Sequence, residues 1–173
     1  GSMVSGDMGE LAEIIRQAVK LSGVRAVVAL GWGQQEAKTK DANIFYVKSV
    51  PHDWLFPHMA GAVHHGGAGT TATSLRHALP TLVVPFGGDQ PFWAERVYAA
   101  GCGPKAIPRD KLTAENLAEG LRALISNPEY TRNAACIGEA LRNEHGCANA
   151  ADLIEKAVWD WENGNPAQDG MNI

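Results

Sequence analysis

The 173-residue chain lacks any apolar run near 18 residues, so no segment reads as a transmembrane helix. No basic-then-apolar stretch stands at its start, so no secretory signal is read either. Cysteine is scarce. Cys102, Cys136 and Cys147 have no close spacing, which excludes a disulfide frame and a zinc motif. They read as free thiols of a reducing cytosol, and the expected location is cytoplasmic. Positive charge is in the minority, with 15 Lys and Arg against 19 Asp and Glu and a net charge of -4. That argues against a general nucleic-acid surface. There is no internal repeat and no low-complexity tract. A Gly-x-Ser-x-Gly elbow is missing, which sets aside a serine hydrolase. What remains is ordinary for one globular domain with a real core: 45% hydrophobic and 20% charged residues.

Periodicity lays out an alternation of helices and strands. Leu11, Ile14, Ile15, Ala18 and Val19 recur at helical spacing, so a helix from about Met8 to Leu21 buries one face. Asp7 caps it and Gly23 stops it. Arg25 to Leu30 is a continuous apolar run, typical of a parallel strand covered on both faces. Gly31-Trp32-Gly33 follows; as a dinucleotide fingerprint it lacks the third glycine. Trp32 is either a packed loop residue or a ligand-stacking one. Ile44 to Lys48 is the next strand. Asp53 is expected to cap a short helix, with Trp54, Leu55 and Phe56 packing inward.

The stretch from Val63 to Arg96 organises the rest. Gly61 to His64 reads as a short buried strand. Gly66, Gly67 and Gly69 allow a tight turn and a close backbone approach. Thr70 and Thr71 open a helix placed at Thr71 to Leu79. A glycine turn leading into a helix offers free N–H groups and the positive end of the dipole, a place for phosphate. No lysine follows these glycines, so a P-loop is excluded. Thr81 to Pro85 is a second buried strand, followed by Gly87-Gly88-Asp89-Gln90. Ligands bind outside the carboxyl ends of parallel strands. One loop suits phosphate; the other carries an acid and an amide, which suit sugar hydroxyls.

Downstream, Phe92, Trp93, Val97 and Tyr98 are expected on one face of a helix ending at Gly101. Gly103 to Pro108 reads as a last short strand. Asp110 or Thr113 caps a helix to about Ile125, and Thr113-x-x-Asn116 falls short of a full capping box. Asn127-Pro128 starts the next helix, which runs to about Asn143. Gly146 breaks it, and a final helix covers Asn149 to Trp161. The whole reads as an α/β, doubly wound, Rossmann-like parallel sheet. Residues 1–161 form the domain and 162–173 a flexible tail.

The ordered set His-His-Gly-Gly-Ala-Gly-Thr-Thr, then Leu-Pro, then Pro-Phe-x-Gly-Asp-Gln-Pro-Phe-Trp resembles the donor signature of GT-B glycosyltransferases that use UDP-sugars. The branch it most resembles is the sterol glucosyltransferases with their bacterial and fungal relatives. The match is dense from about Ser49 to Pro108. The resemblance implies the C-terminal, donor-binding half of a GT-B fold. It implies UDP-glucose as donor substrate, no metal or other cofactor, and inverting transfer to a lipophilic hydroxyl such as a sterol. It further implies an N-terminal acceptor domain as partner and peripheral membrane association of the full enzyme as an open alternative.

Residue by residue, the resemblance places His65 at the diphosphate, with the backbone from Gly66, Gly67, Ala68 and Gly69 to Thr70 and Thr71. His64 then becomes its support, because neighbouring strand residues point to opposite faces. Asp89 and Gln90 match the pair that binds glucose hydroxyls. Ser49-Val50-Pro51 resembles the uracil-side loop. Plant members carry a stacking tryptophan there; here the Val50 backbone is left for the base edge. Thr73 stands where many members have a ribose-binding glutamate. Gly1-Ser2-Met3 is either a cloning remnant or the end of a Phe-Gly-Ser-Met loop at the donor. The resemblance favours the loop, which puts Ser2 in the site and the first strand before residue 1.

Rival readings weigh less. Adjacent His64 and His65 chelate poorly, and no Cys, Asp or Glu lies at ligand spacing, so no metal is expected. A non-catalytic nucleotide-sugar-binding module and a UDP-sugar epimerase stay open; an epimerase needs acid and base groups beyond Asp89 and the histidines. None of the six histidines matches the family's general base, which belongs to the N-terminal half. This chain alone is therefore expected to transfer no sugar. Trp159 and Trp161 are expected either at an interface with another half or copy, or packed on their own domain.

Overall fold

In a computed structural model of the chain, residues 8–29 and 41–164 are described. The described residues fall into two compact units, divided between Leu141 and Arg142. In the first, α1 (Met8–Ser22) leads to β1 (Ala26–Ala29) and β2 (Ile44–Val47). These two strands pair in parallel, with Ala26 opposite Ile44. The short α2 (His52–Leu55) and a 3₁₀ turn at Phe56–His58 precede β3 (Ala62–His64) and α3 (Ala68–Arg76). Next come β4 (Thr81–Val83), α4 (Gln90–Ala99) and a 3₁₀ turn at Arg109–Lys111. The helices α5 (Ala114–Ser126) and α6 (Pro128–Asn143) follow, and α7 (Gly146–Glu162) belongs to the second unit. β3 pairs with β4 in parallel, with His64 opposite Val83. All strand pairing among the described residues is thus parallel, as the apolar runs predict. The four strands form two separate pairs.

β4 shows how the layers are built. Leu82 joins a core with Ala18 of α1 and Leu117, Ala118 and Leu124 of α5. Its neighbour Val83 faces the other way, into a core with Leu75 of α3, Ala94 and Val97 of α4, and Ala134 of α6. Alternation along one strand therefore places helices on both faces. Leu82 is fully enclosed, and burying such a side chain contributes about 1.5–3 kcal/mol.

Local capping differs from the sequence reading in instructive ways. The expected strand at Gly103 to Pro108 is not a regular strand. Its backbone runs beside β4 with scattered bonds: Thr81 N donates to Cys102 O at 2.9 Å and Ile107 N to Val83 O at 3.0 Å. Pro104 and Pro108 supply no N–H, so no ladder can form. A Cβ at Gly103 would lie 1.9 Å from the Thr81 carbonyl oxygen, so the segment approaches β4 closer than any side chain permits.

α3 begins at Ala68, because the extended Gly67 is the N-cap, so Thr70 and Thr71 lie inside the helix instead of capping it. α7 likewise begins three residues before the expected Asn149. Asp53 does not cap α2, since Pro51 holds that position; the Asp53 carboxylate accepts from His77 Nε2 at 3.0 Å. Trp54 and, on α4, Phe92 and Tyr98 are exposed, so they do not form the expected packed faces. The buried face of α4 is Gln90, Ala94 and Val97. Thr113 and Asn116 do form a complete capping box, each side chain meeting the other's backbone N–H at 3.2 and 2.9 Å. Asn116 is long enough to do the work of the usual Glu or Gln. α3 ends in a Schellman motif: Ala78 N donates to Leu75 O and Leu79 N to Ser74 O, with Ala78 at φ 58°. In the second unit α7 has no buried residue, and Trp159 and Trp161 are exposed.

Candidate functional site

The parallel register sets the carboxyl ends of β3 and β4 side by side. Val84 N donates to His64 O at 2.9 Å and extends that pairing. Two loops leave this edge, His65–Gly67 into α3 and Val84–Asp89 into α4. At Gly66, which holds φ +92°, the first meets the two residues that flank the second, Val83 and Gln90. A Cβ there would lie 2.6 Å from Val83 Cγ1 and 3.2 Å from the Gln90 carbonyl oxygen. Only glycine satisfies both the backbone angle and the space.

The first loop is held from inside by His64. Its Nδ1 accepts from Gly66 N at 3.0 Å, which leaves the proton on Nε2. Nε2 then donates to Ser74 Oγ at 3.3 Å. Ser74 Oγ accepts from Thr81 Oγ1 at 3.1 Å and donates to Thr71 O at 2.9 Å. Burial, aided by His65 and His52, pushes the His64 pKa down to about 4, so the ring is neutral near pH 7. His64 is thus a hydrogen-bonded part of the turn. The influence of His52 also brings the start of α2 within electrostatic reach of β3.

His65 lies beside the turn. A Cβ on Gly67 would sit 2.6 Å from His65 Nε2, so the imidazole lies over that α-carbon. Burial lowers the His65 pKa, and Asp89 acts in the opposite direction across the two loops. In α3 the first internal bond is Thr71 N to Gly67 O at 2.9 Å. The N–H groups of Ala68, Gly69 and Thr70 precede it and have no helical carbonyl to reach. Partial positive charge therefore collects at this helix end. Thr71 is 4% exposed, and its Oγ1 has no hydrogen-bond partner among the described residues. Thr73 Oγ1 donates back to Gly69 O at 2.8 Å.

The second loop is held by α4. Gln90 is 4% exposed, and its Oε1 accepts from Phe86 N at 2.7 Å and from Gly87 N at 3.3 Å. Asp89 occupies the N-cap position without capping. Its Oδ2 accepts instead from Trp93 Nε1 at 2.8 Å. The structure thus gathers His64, His65, Gly66, Gly67, Ala68, Gly69, Thr70, Thr71, Asp89 and Gln90 at one edge. Val50 is half-buried in the link from β2 to α2. Ser2 and Trp32 lie outside the described residues. Sequence reasoning missed Ser74, Thr81 and Trp93. A tryptophan four residues after Asp89 on a helix was the available signal for the last. No group of three or more His, Cys, Asp or Glu able to hold a metal ion exists among the described residues.

The matching family is described as the erythromycin biosynthesis protein CIII-like, C-terminal domain, and it covers residues 13–155. A sterol 3-beta-glucosyltransferase of Arabidopsis thaliana is 42% identical over 90% of this chain and 26% of its own length. One from Cryptococcus neoformans is 38% identical over 89% of this chain and 10% of its own. The chain therefore spans about a quarter or less of these curated relatives. Among solved structures, the glycosyltransferase of kitacinnamycin superposes with a TM-score of 0.73 at 25% identity, over 90% of this chain and 41% of that one. Glycosyltransferase VinC, solved with dTDP, gives 0.65 at 29% identity, over 75% and 33%. The chain belongs to the erythromycin biosynthesis protein CIII-like C-terminal domains and has the Rossmann-like C-terminal fold of GT-B glycosyltransferases.

Proposed function

We propose that this domain binds the donor of an inverting glycosyltransferase, with UDP-glucose as the nucleotide sugar. The observation that carries the reading is the convergence at Gly66. There the turn into α3 meets Gln90, next to Asp89, so the open N-terminus of α3 and the Asp89 carboxylate share one edge. Helix N–H groups suit a diphosphate, and a carboxylate accepts from sugar hydroxyls. The diphosphate would meet His65 and the N–H groups from Gly67 to Thr71. A His65 ring N–H would donate to that anion. The glucose would meet Asp89 and Gln90, and Val50 the base edge. Ser2 and Trp32 complete the donor side in this reading.

The helix end and His65 would stabilise the charge that grows on the departing diphosphate, with no metal needed. The complete enzyme would supply an acceptor domain, a general base at the acceptor hydroxyl and in-line positioning. The names of the relatives favour a lipophilic acceptor such as a sterol. A cytoplasmic, membrane-peripheral setting suits such an acceptor. No helix among the described residues is long and apolar enough to cross a membrane.

Calorimetry tests the reading. UDP-glucose should bind the chain equally well with and without EDTA. Asp89→Ala should weaken UDP-glucose by roughly tenfold or more, the scale of one charge-assisted hydrogen bond, and leave UDP nearly unchanged. Equal losses for both ligands would remove Asp89 from the sugar site.

A further inference from the structure

We infer that Trp93 is a positioning residue for donor-sugar recognition, acting through Asp89; this rests on the donor reading above. Asp89 stands at the N-cap of α4, where an aspartate ordinarily turns its carboxylate onto the first helical N–H groups. Here it makes no such bond. Its backbone is helical, at φ -80° and ψ -5°, and the carboxylate is drawn along the helix to the Trp93 indole N–H, 2.8 Å away. The indole is itself braced. Phe92 meets it edge to face at 5.1 Å, and Trp93 is half-buried while Asp89 is exposed.

From the inner side, Gln90 Oε1 clasps Phe86 N and Gly87 N, so the loop backbone just before Asp89 is fixed too. Trp93 occupies one of about four lone-pair sites on the carboxylate. The remaining sites, including both of Oδ1, are left for hydroxyl donors on a carboxylate already held by Trp93. A preset carboxylate loses less rotamer freedom on binding than a free one. It also accepts hydrogen bonds and donates none. The pair therefore selects a sugar with a hydroxyl at that place over one that lacks it.

The test is calorimetry on the full chain, wild type and Trp93→Phe, with and without Asp89→Ala, against UDP-glucose and UDP. Phenylalanine keeps the aromatic bulk and removes only the N–H. Trp93→Phe should weaken UDP-glucose about three- to tenfold, leave UDP within about twofold, and add no further loss once Asp89 is alanine. Trp93→His, which keeps a ring N–H, should recover part of the loss. A second readout needs no substitution: the Trp93 indole proton resonance should move on adding UDP-glucose and stay in place on adding UDP. Equal losses for both ligands, an additive loss in the double variant, or an unmoved resonance would overturn the inference. If Asp89→Ala loses UDP-glucose while Trp93→Phe does not, the donor reading stands and this inference alone falls. If the wild type binds UDP but not UDP-glucose, the donor reading falls and takes this inference with it.

Discussion

His64 Nε2 lies 3.3 Å from Ser74 Oγ, and this contact ties the last residue of β3 to the body of α3. The same ring, through Nδ1, holds the Gly66 N–H. Ser74→Ala should therefore leave a largely enclosed imidazole N–H without its acceptor. The expected loss is about 1–3 kcal/mol, the cost of an unsatisfied buried donor. Urea unfolding of the two chains measures it. Thr81 Oγ1 keeps a second acceptor in Leu79 O at 3.1 Å, so its share of the loss is small.

Stability should fall with acid, with His64 as a main cause. Its pKa is about 4 in the folded chain against an ordinary 6.5. Between those values the unfolded chain takes up a proton that the folded chain refuses. Stability is therefore full above pH 6.5 and drains as pH falls toward 4. The total is about 3 kcal/mol if the whole shift is realised. His65 is shifted in the same direction and adds to the slope. Thermal unfolding from pH 7.5 to 4.5 should show the decline. His64→Asn, which keeps an acceptor for Gly66 N–H, should flatten it.

Gly66→Ala should be damaging twice over. The φ of +92° strains any side-chain-bearing residue, and the new Cβ would lie 2.6 Å from Val83 Cγ1. Strain and overpacking together cost roughly 2–5 kcal/mol. Calorimetric melting should show a large drop in Tm, with UDP affinity reduced in whatever fraction stays folded.

Ala78→Gly should do the opposite. Ala78 is the one non-glycine residue at positive φ among the described residues, at 58°. Relief of left-handed strain outweighs the extra freedom of the unfolded chain by about 0.5–1 kcal/mol. A rise in the urea midpoint at constant slope would register this; a fall would mean the local geometry differs.

Much of the framework was legible in the residues. The run around Ala26 to Ala29 predicted a parallel strand, and Asn127-Pro128 marked the start of α6 at the residue where it begins. The two-loop edge followed from glycines and strand ends. What escaped the sequence was where polar groups find partners. Thr70 and Thr71 look like caps, but the extended backbone of Gly67 starts the helix earlier, and no residue type announces that. Asp53 looks like a cap too, yet it serves His77, 24 positions away. Phe92 and Tyr98 fit an apolar face by type but not by angle, since Gln90, Ala94 and Val97 define the buried side. Gln90 is a further case: besides the ligand contact its type suggests, its Oε1 serves the loop backbone. Such partnerships depend on three-dimensional proximity, which periodicity does not encode.

If donor phosphate is its partner, the buried hydroxyl of Thr71 would put the domain under two opposed selections. With no hydrogen-bond partner among the described residues, Oγ1 makes the ligand-free fold weaker than valine would in the same volume. A thermostability screen run without ligand should therefore drift toward Thr71→Val. A screen for donor capture should hold threonine, if that hydroxyl turns to a bound phosphate. Variants sorted on heat resistance alone would then accumulate folded domains with weakened grip on their donor. The trade-off would sit at one oxygen atom in the first turns of α3.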